Sequence, residues 1–199
     1  MRPQYGIACD AVFSHHHGMA KILVPLCDGF EEIEGITVID VLRRAGCEVV
    51  VAGVTDGPLS ATRKTRHLTD TLLTDAVLNA AYDAIVLPGG RPGADTLAAH
   101  QGLRARMQKQ HADGLWLAAI CAAPLALDKA GLLGGKRFTC HPAAAQEFVT
   151  GPPLSGRVVV DGKIVTGQAA GSAMEFSLKL VELLCGSEKK NEVEKGLLF

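Results

Sequence analysis

From Lys21 onward, short apolar runs alternate with stretches whose apolar positions recur every three or four residues. The runs Ile22–Leu26, Glu48–Ala52, Ala84–Leu87, Leu115–Ile120 and Lys163–Thr166 are nearly continuous in apolar residues, which predicts strands buried on both faces. The periodic stretches Glu31–Ala45, Leu103–His111, Ala122–Lys129, Ala143–Val149 and Ser172–Leu184 predict helices. Between Val54 and Leu73 the chain is rich in Thr and carries Gly57-Pro58, which predicts short irregular strands. Strands alternating with helices predict an α/β domain, a mostly parallel sheet with helices on both faces. The first residues, MRPQYGIACDAVFSHHHG, show no periodicity, so 1–18 reads as an unstructured leader or a mis-set start and 19–199 as one domain.

Composition narrows the class of partner. The chain has 199 residues, 48% of them hydrophobic, enough for a core of one domain. Lys and Arg number 20 against 21 Asp and Glu, so no global field draws the chain to nucleic acid or an anionic membrane. The expected partner is a small molecule or another protein. No apolar run approaches the ~20 residues that span a bilayer, and the opening residues lack the order of a secretory signal, so a cytoplasmic protein is expected. The six cysteines, Cys9, Cys27, Cys47, Cys121, Cys140 and Cys185, are scattered without a Cys-x-x-Cys pair, which predicts free thiols rather than a disulfide framework or zinc site. His15, His16 and His17 sit in the unpatterned leader and do not make a preorganised metal site. Neither metal nor cofactor is expected.

Open parallel sheets bind ligands beyond the carboxyl ends of their strands, and three segments fall there. Cys121 lies between Leu-Trp-Leu-Ala-Ala-Ile and Ala-Ala-Pro-Leu-Ala-Leu, where a buried strand gives way to a helix. At such an elbow the amides of the next turn and the helix dipole favour a thiolate and lower its pKa. Pro124 suits a first helical turn. Pro88-Gly89-Gly90 follows another strand, and its glycines permit close approach of a substrate to amides that act as an oxyanion hole. Glu31, Glu32 and Glu34 open the helix after the first strand. One of them, placed beside a thiolate, would be held protonated, but spacing does not say which. His141, in Thr-Cys-His-Pro, reads equally as a base near Cys121, a pocket donor or a turn residue, and Cys140 as a packing residue.

The motifs Gly29-Phe-Glu-Glu-Ile-Glu34, Val38-Ile-Asp-Val-Leu-Arg-Arg-Ala-Gly46, Tyr82-Asp-Ala-Ile-Val-Leu-Pro-Gly-Gly90, Ala118-Ala-Ile-Cys-Ala-Ala-Pro124 and Glu175-Phe176 occur in one order from about Met19 to Leu197. Together they resemble the ThiJ/PfpI superfamily, in the branch of the parkinsonism-associated deglycase and its bacterial relative YajL. The resemblance implies a flavodoxin-like three-layer sandwich and a homodimer formed through the helix of residues 31–45, with Asp40 and Arg44 reaching across. It assigns the pocket glutamate to Glu34 and the pocket histidine to His141. It implies a glutathione-independent glyoxalase or deglycase activity on 2-oxoaldehydes such as methylglyoxal or on glycated protein. Cys121 would then be the nucleophile, Glu34 the proton shuttle, and Gly89, Gly90 and Ala122 would bind substrate and oxyanion. The alternative is an oxidative-stress sensor or redox-regulated chaperone acting through oxidation of the same cysteine. Two stretches depart from the family pattern: Gln168-Ala169-Ala170-Gly171, and Arg91-Pro92 after the double glycine. The protease-like branch carries a histidine after its cysteine, where this chain has Ala122. A glutamine amidotransferase would need a late His-x-Glu, which is missing because His141 is followed by Pro142 and Ala143.

Overall fold

The computed structural model describes residues 19–199; residues 1–18, expected to be an unstructured leader or a mis-set start and carrying Cys9 and His15–His17, lie outside the described residues. The chain runs through β1 (Lys21–Leu26), α1 (Glu32–Arg44), β2 (Glu48–Gly53), β3 (Leu59–Ser60), β4 (Arg66–His67), β5 (Thr71–Leu72), α2 (Asp75–Asn79), β6 (Ala84–Leu87), α3 (Arg91–Ala99) and α4 (Gln101–Ala112). It continues through β7 (Trp116–Ile120), α5 (Pro124–Lys129), β8 (Val158–Asp161), β9 (Ile164–Gly167), α6 (Ala173–Cys185) and α7 (Ser187–Leu197). Seven strands form one sheet in the order β5-β2-β1-β6-β7-β9-β8, parallel throughout except for β8, which runs antiparallel to β9. The short pair β3 and β4 forms a separate antiparallel ribbon.

Side chains alternate between two cores, as the period of a strand requires. Ile22, Val24, Val86, Ala118, Ile120 and Val165 point to one side and pack with α1 (Val38, Val41, Leu42) and α6 (Phe176, Leu180, Val181). Leu23, Ile85, Leu87, Leu117, Ala119 and Ile164 point to the other and pack with α3 (Leu97), α4 (Leu103, Met107) and α5 (Leu127). This is the flavodoxin-like three-layer α/β sandwich, and burial on both faces explains why the central strands read as apolar runs.

The helix expected at Ala143–Val149 is instead a 3-10 segment at Pro142–Glu147, which the His141 ring caps by accepting from the Ala143 amide at 3.2 Å. Of the expected helix at Ala122–Lys129 only Pro124–Lys129 forms, because residues 121–123 make the turn. Three helices and a strand had no sequence expectation. α3 begins at Arg91 with Pro92 in its first turn, so the Pro-Gly-Gly turn and the helix share residues. α7 buries only Val193 and so carries no apolar stripe. It is laced instead by Lys190–Glu194 (2.6 Å) and Lys189–Glu192 (2.5 Å) pairs. α2 is a single capped turn, and β8 reaches β9 through a hairpin at Gly162, where φ is 59°.

β1 has β2 on one side and β6 on the other, so chain progression reverses between β1 and β6. That topological switch opens a crevice at the strands' carboxyl ends, into which the loops after β1, β6 and the adjacent β7 converge.

Candidate active site

Cys121 directly follows β7 and holds φ at +67°, a left-handed conformation that costs a non-glycine residue on the order of 1–3 kcal/mol. The surroundings hold it there: its amide donates to the Gly167 carbonyl at 2.9 Å, and its carbonyl accepts from the His141 amide at 2.8 Å. The sharp turn lifts the side chain off the sheet toward the loop after β6.

Three acids at the start of α1 divide their work by hydrogen bonding. Glu31 caps the helix, accepting from the Glu34 amide at 2.8 Å. Glu32 accepts from Thr62 Oγ1 at 2.7 Å, the Arg63 amide at 2.5 Å and Thr65 Oγ1 at 3.1 Å, tying the β3–β4 ribbon to α1. Burial opposes its ionisation, yet these donors hold its carboxyl down at about 2. Glu34 alone points inward and is 0% exposed. Its Oε2 accepts from the Gly89 amide at 2.8 Å, while Oε1 is buried with no partner of hydrogen-bond geometry among the described residues. Burial raises the Glu34 carboxyl to about 7, against the stabilising contacts of the Cys121 thiol and the Gly89 amide.

Gly89 is the joint of the site. A Cβ built on it would lie 2.6 Å from Glu34 Oε2, 2.7 Å from Cys121 Cβ and 2.8 Å from the Ile120 carbonyl, so carboxyl and cysteine flank this one residue. Its amide is committed to Glu34, which corrects its expected part in an oxyanion hole. The amides that bear on the Cys121 sulfur are those of Gly90 and Ala122. Gly90, at φ +90°, has no room for a side chain against the Gly29 carbonyl and, at 2.5 Å, the Glu31 amide.

The expectation of a lowered Cys121 pKa is overturned. Burial, then the Glu34 carboxylate, push the thiol up to about 12, while the Gly90 and Ala122 amides pull it down. The first is the cost of stripping water from the thiolate; the second is the cost of placing it beside another anion in a dry pocket. When Glu34 holds the proton the repulsion vanishes, the carboxyl becomes a donor toward the sulfur, and only burial still opposes the two amides. The pair therefore works as one proton-sharing unit.

His141 adjoins Cys121 through its backbone, while its ring is exposed and uses Nδ1 to cap the 3-10 segment. Cys140 is buried, donates to the His141 carbonyl at 3.3 Å and is pushed up to about 11 by burial first, in keeping with packing. Asp40 and Arg44 pair with each other at 2.7 Å along α1. An open cleft of about 600 Å³, lined by Asp28, Glu31, Arg63, Gly90 and Arg91 among others, borders the site on the Gly90 side without reaching Cys121. Arg91, on the cleft's own lining, grips Glu147 with two bonds of 2.6 and 2.8 Å, joining the loop after β6 to the segment after His141. That bridge was not foreseen, since nothing in the sequence pairs residues so far apart. Among the described residues no cluster of His, Cys, Asp and Glu has a metal-binding arrangement, and no helix is long and apolar enough to cross a membrane.

The DJ-1/PfpI family model matches residues 20–183. Protein DJ-1 homolog B of Arabidopsis thaliana is 42% identical over 182 residues, covering 90% of this chain but 41% of its own length, so the chain spans less than half of that relative. The glutathione-independent glyoxalase DJR-1.2 of Caenorhabditis elegans is 37% identical over 180 residues, covering 89% of this chain and 95% of its own. Among solved structures, oxidised Toxoplasma gondii DJ-1 superposes with a TM-score of 0.86 at 41% identity, covering 90% of this chain and 98% of that one.

Proposed function

The chain belongs to the DJ-1/PfpI family, and from that premise we propose that it is a glutathione-independent glyoxalase whose nucleophile is Cys121 and whose substrates are 2-oxoaldehydes such as methylglyoxal. The observation that carries this reading is the Glu34 carboxyl: fully buried, anchored by one oxygen to Gly89, unpaired at the other, and poised at about 7 beside the sulfur. A carboxyl held near neutrality gives and takes protons with little cost in either direction, as moving a proton between adjacent carbons requires.

The Cys121 thiolate adds to the aldehyde carbon of methylglyoxal, and the Gly90 and Ala122 amides stabilise the oxygen that gains charge. Glu34 passes its proton to that oxygen, giving a hemithioacetal, and becomes a carboxylate. It then removes the hydrogen from the same carbon, forming an enediol, and returns a proton to the neighbouring carbon. The product is a thioester of lactate, which water cleaves to lactate and free thiol. His141, joined to Cys121 through its backbone and exposed at its ring, orients the substrate. The same addition to a glycated side chain would make the protein a deglycase. A homodimer through α1 belongs to this proposal, supported by Ile33 and Ile36, 58% and 41% exposed on that helix.

The test is methylglyoxal consumption and lactate release by purified protein without glutathione, for wild type, Cys121→Ser and Glu34→Gln. Lactate output by Cys121→Ser equal to wild type would overturn the assignment. A second reading, a sensor acting through oxidation of Cys121, draws on the same carboxyl, since a protonated Glu34 would donate to a sulfinate oxygen. Peroxide treatment that leaves Cys121 unoxidised in an intact-mass measurement would sink it.

A further inference from the structure

We propose that Cys47 and Cys185 form a reversible disulfide on exposure to a peroxide, a redox site separate from Cys121 that staples the end of α6 to the start of β2. Their sulfurs lie 3.5 Å apart although the residues are 138 positions apart in sequence, one just before β2 and the other ending α6. A disulfide needs a sulfur separation of about 2 Å, so the gap closes by a small turn of each side chain. Both ends have open space beside them. Gly46 at φ +82° precedes Cys47 and Gly186 at φ +89° follows Cys185, and a Cβ at either glycine would meet nothing within 4 Å.

The two thiols are unequal, which gives the reaction an order. Cys185 is half-buried and Cys47 buried, so peroxide reaches Cys185 first. The sulfur contact with Cys47 and, against burial, the Lys189 ammonium on α7 draw the Cys185 thiol below its ordinary value, while that contact and burial push Cys47 up. The Cys185 thiolate attacks one peroxide oxygen: an S–O bond forms, the O–O bond breaks and hydroxide leaves. Cys47 then attacks the sulfenic sulfur, forming S–S and breaking S–O, with a second hydroxide leaving and both taking up the thiol protons as water. In sum two thiols and one hydrogen peroxide give a disulfide and two waters.

The full chain is treated with a slight excess of hydrogen peroxide, blocked with N-ethylmaleimide and digested with trypsin, which places Cys47 in peptide 45–63 and Cys185 in peptide 180–189. The expected product is these two peptides linked, two hydrogens lighter than their sum and separated by dithiothreitol, in wild type and in Cys121→Ser alike. Full maleimide labelling of both residues, or a sulfinate on Cys185 with Cys47 free, overturns the disulfide. A link lost in Cys121→Ser overturns its independence. In the Cys121→Ser background the oxidised protein should also melt higher than the reduced one, by roughly 5–10 °C for so long a closed loop. Cys185→Ser, at a half-buried position, should abolish that shift, and a shift that persists counts against the staple.

Discussion

Two sulfur sites lie at opposite ends of the sheet and differ in what stands next to the sulfur. At the carboxyl ends, Cys121 sits in a left-handed turn beside a buried carboxyl and two amides. At the amino end of β2, Cys47 and Cys185 sit in ordinary surroundings beside each other. A carboxyl neighbour trades protons with a substrate and cannot form a bond to sulfur, whereas a thiol neighbour ends in S–S. The position of strain agrees: a non-glycine residue is held at positive φ at Cys121, where one fixed orientation matters, whereas beside Cys47 and Cys185 positive φ falls on glycines, which adopt it without strain.

The largest expected contrast is in turnover. Cys121→Ser should lower methylglyoxal consumption on the order of a thousandfold or more, while Cys185→Ser leaves it within about twofold, both read as kcat/KM without glutathione. A comparable loss in both variants would erase the distinction between the two sites. Glu34→Gln, which keeps the shape but cannot exchange a proton as a carboxyl does, should cost roughly 10²–10⁴-fold.

Gly89→Ala should damage the site directly, since the new carbon would overlap Glu34 Oε2 and Cys121 Cβ. A loss of roughly 1–3 kcal/mol in urea unfolding is expected, with turnover falling as the pair is pushed apart.

The burial of Glu34 sets a pH signature. Its carboxyl is raised from the ordinary 4.5 to about 7 in the folded protein, so the native state binds more protons than the unfolded chain between those values. Stability is full below 4.5 and declines as pH rises to about 7, by about 3 kcal/mol in all. Denaturant titrations across that window should show the decline in wild type and its absence in Glu34→Gln. No such dependence should be traceable to Cys185.

The smallest effect belongs to the bridge beside the site. Arg91 and Glu147 are both half-exposed, so Arg91→Ala should cost under about 1 kcal/mol and less still in high salt. A larger loss would mean that the bridge holds the mouth around Cys121 together.

Strands β1, β2, β6, β7 and β9 were legible because burial leaves an apolar run, and α1, α4 and α6 because one face of each meets a core, whereas the half-buried edge strand β8 was not. α7 was not, since it buries only Val193, and α3 was masked by the Pro-Gly-Gly that opens it. For the site, the strand-to-helix position of Cys121 and the nearness of Gly89 and Gly90 to a strand end were readable locally. What the Gly89 amide serves was not, because Glu34 lies 55 residues away.

By itself the sequence determined the layered α/β architecture and the elbow at Cys121, since both depend on neighbours within a few residues: periodicity, glycine, proline and a strand's end. The tertiary structure decided what each of the three acids binds, that the thiol is raised rather than lowered, and that Cys47 meets Cys185. Each of these depends on groups brought together from distant parts of the chain, where burial and charge act through space.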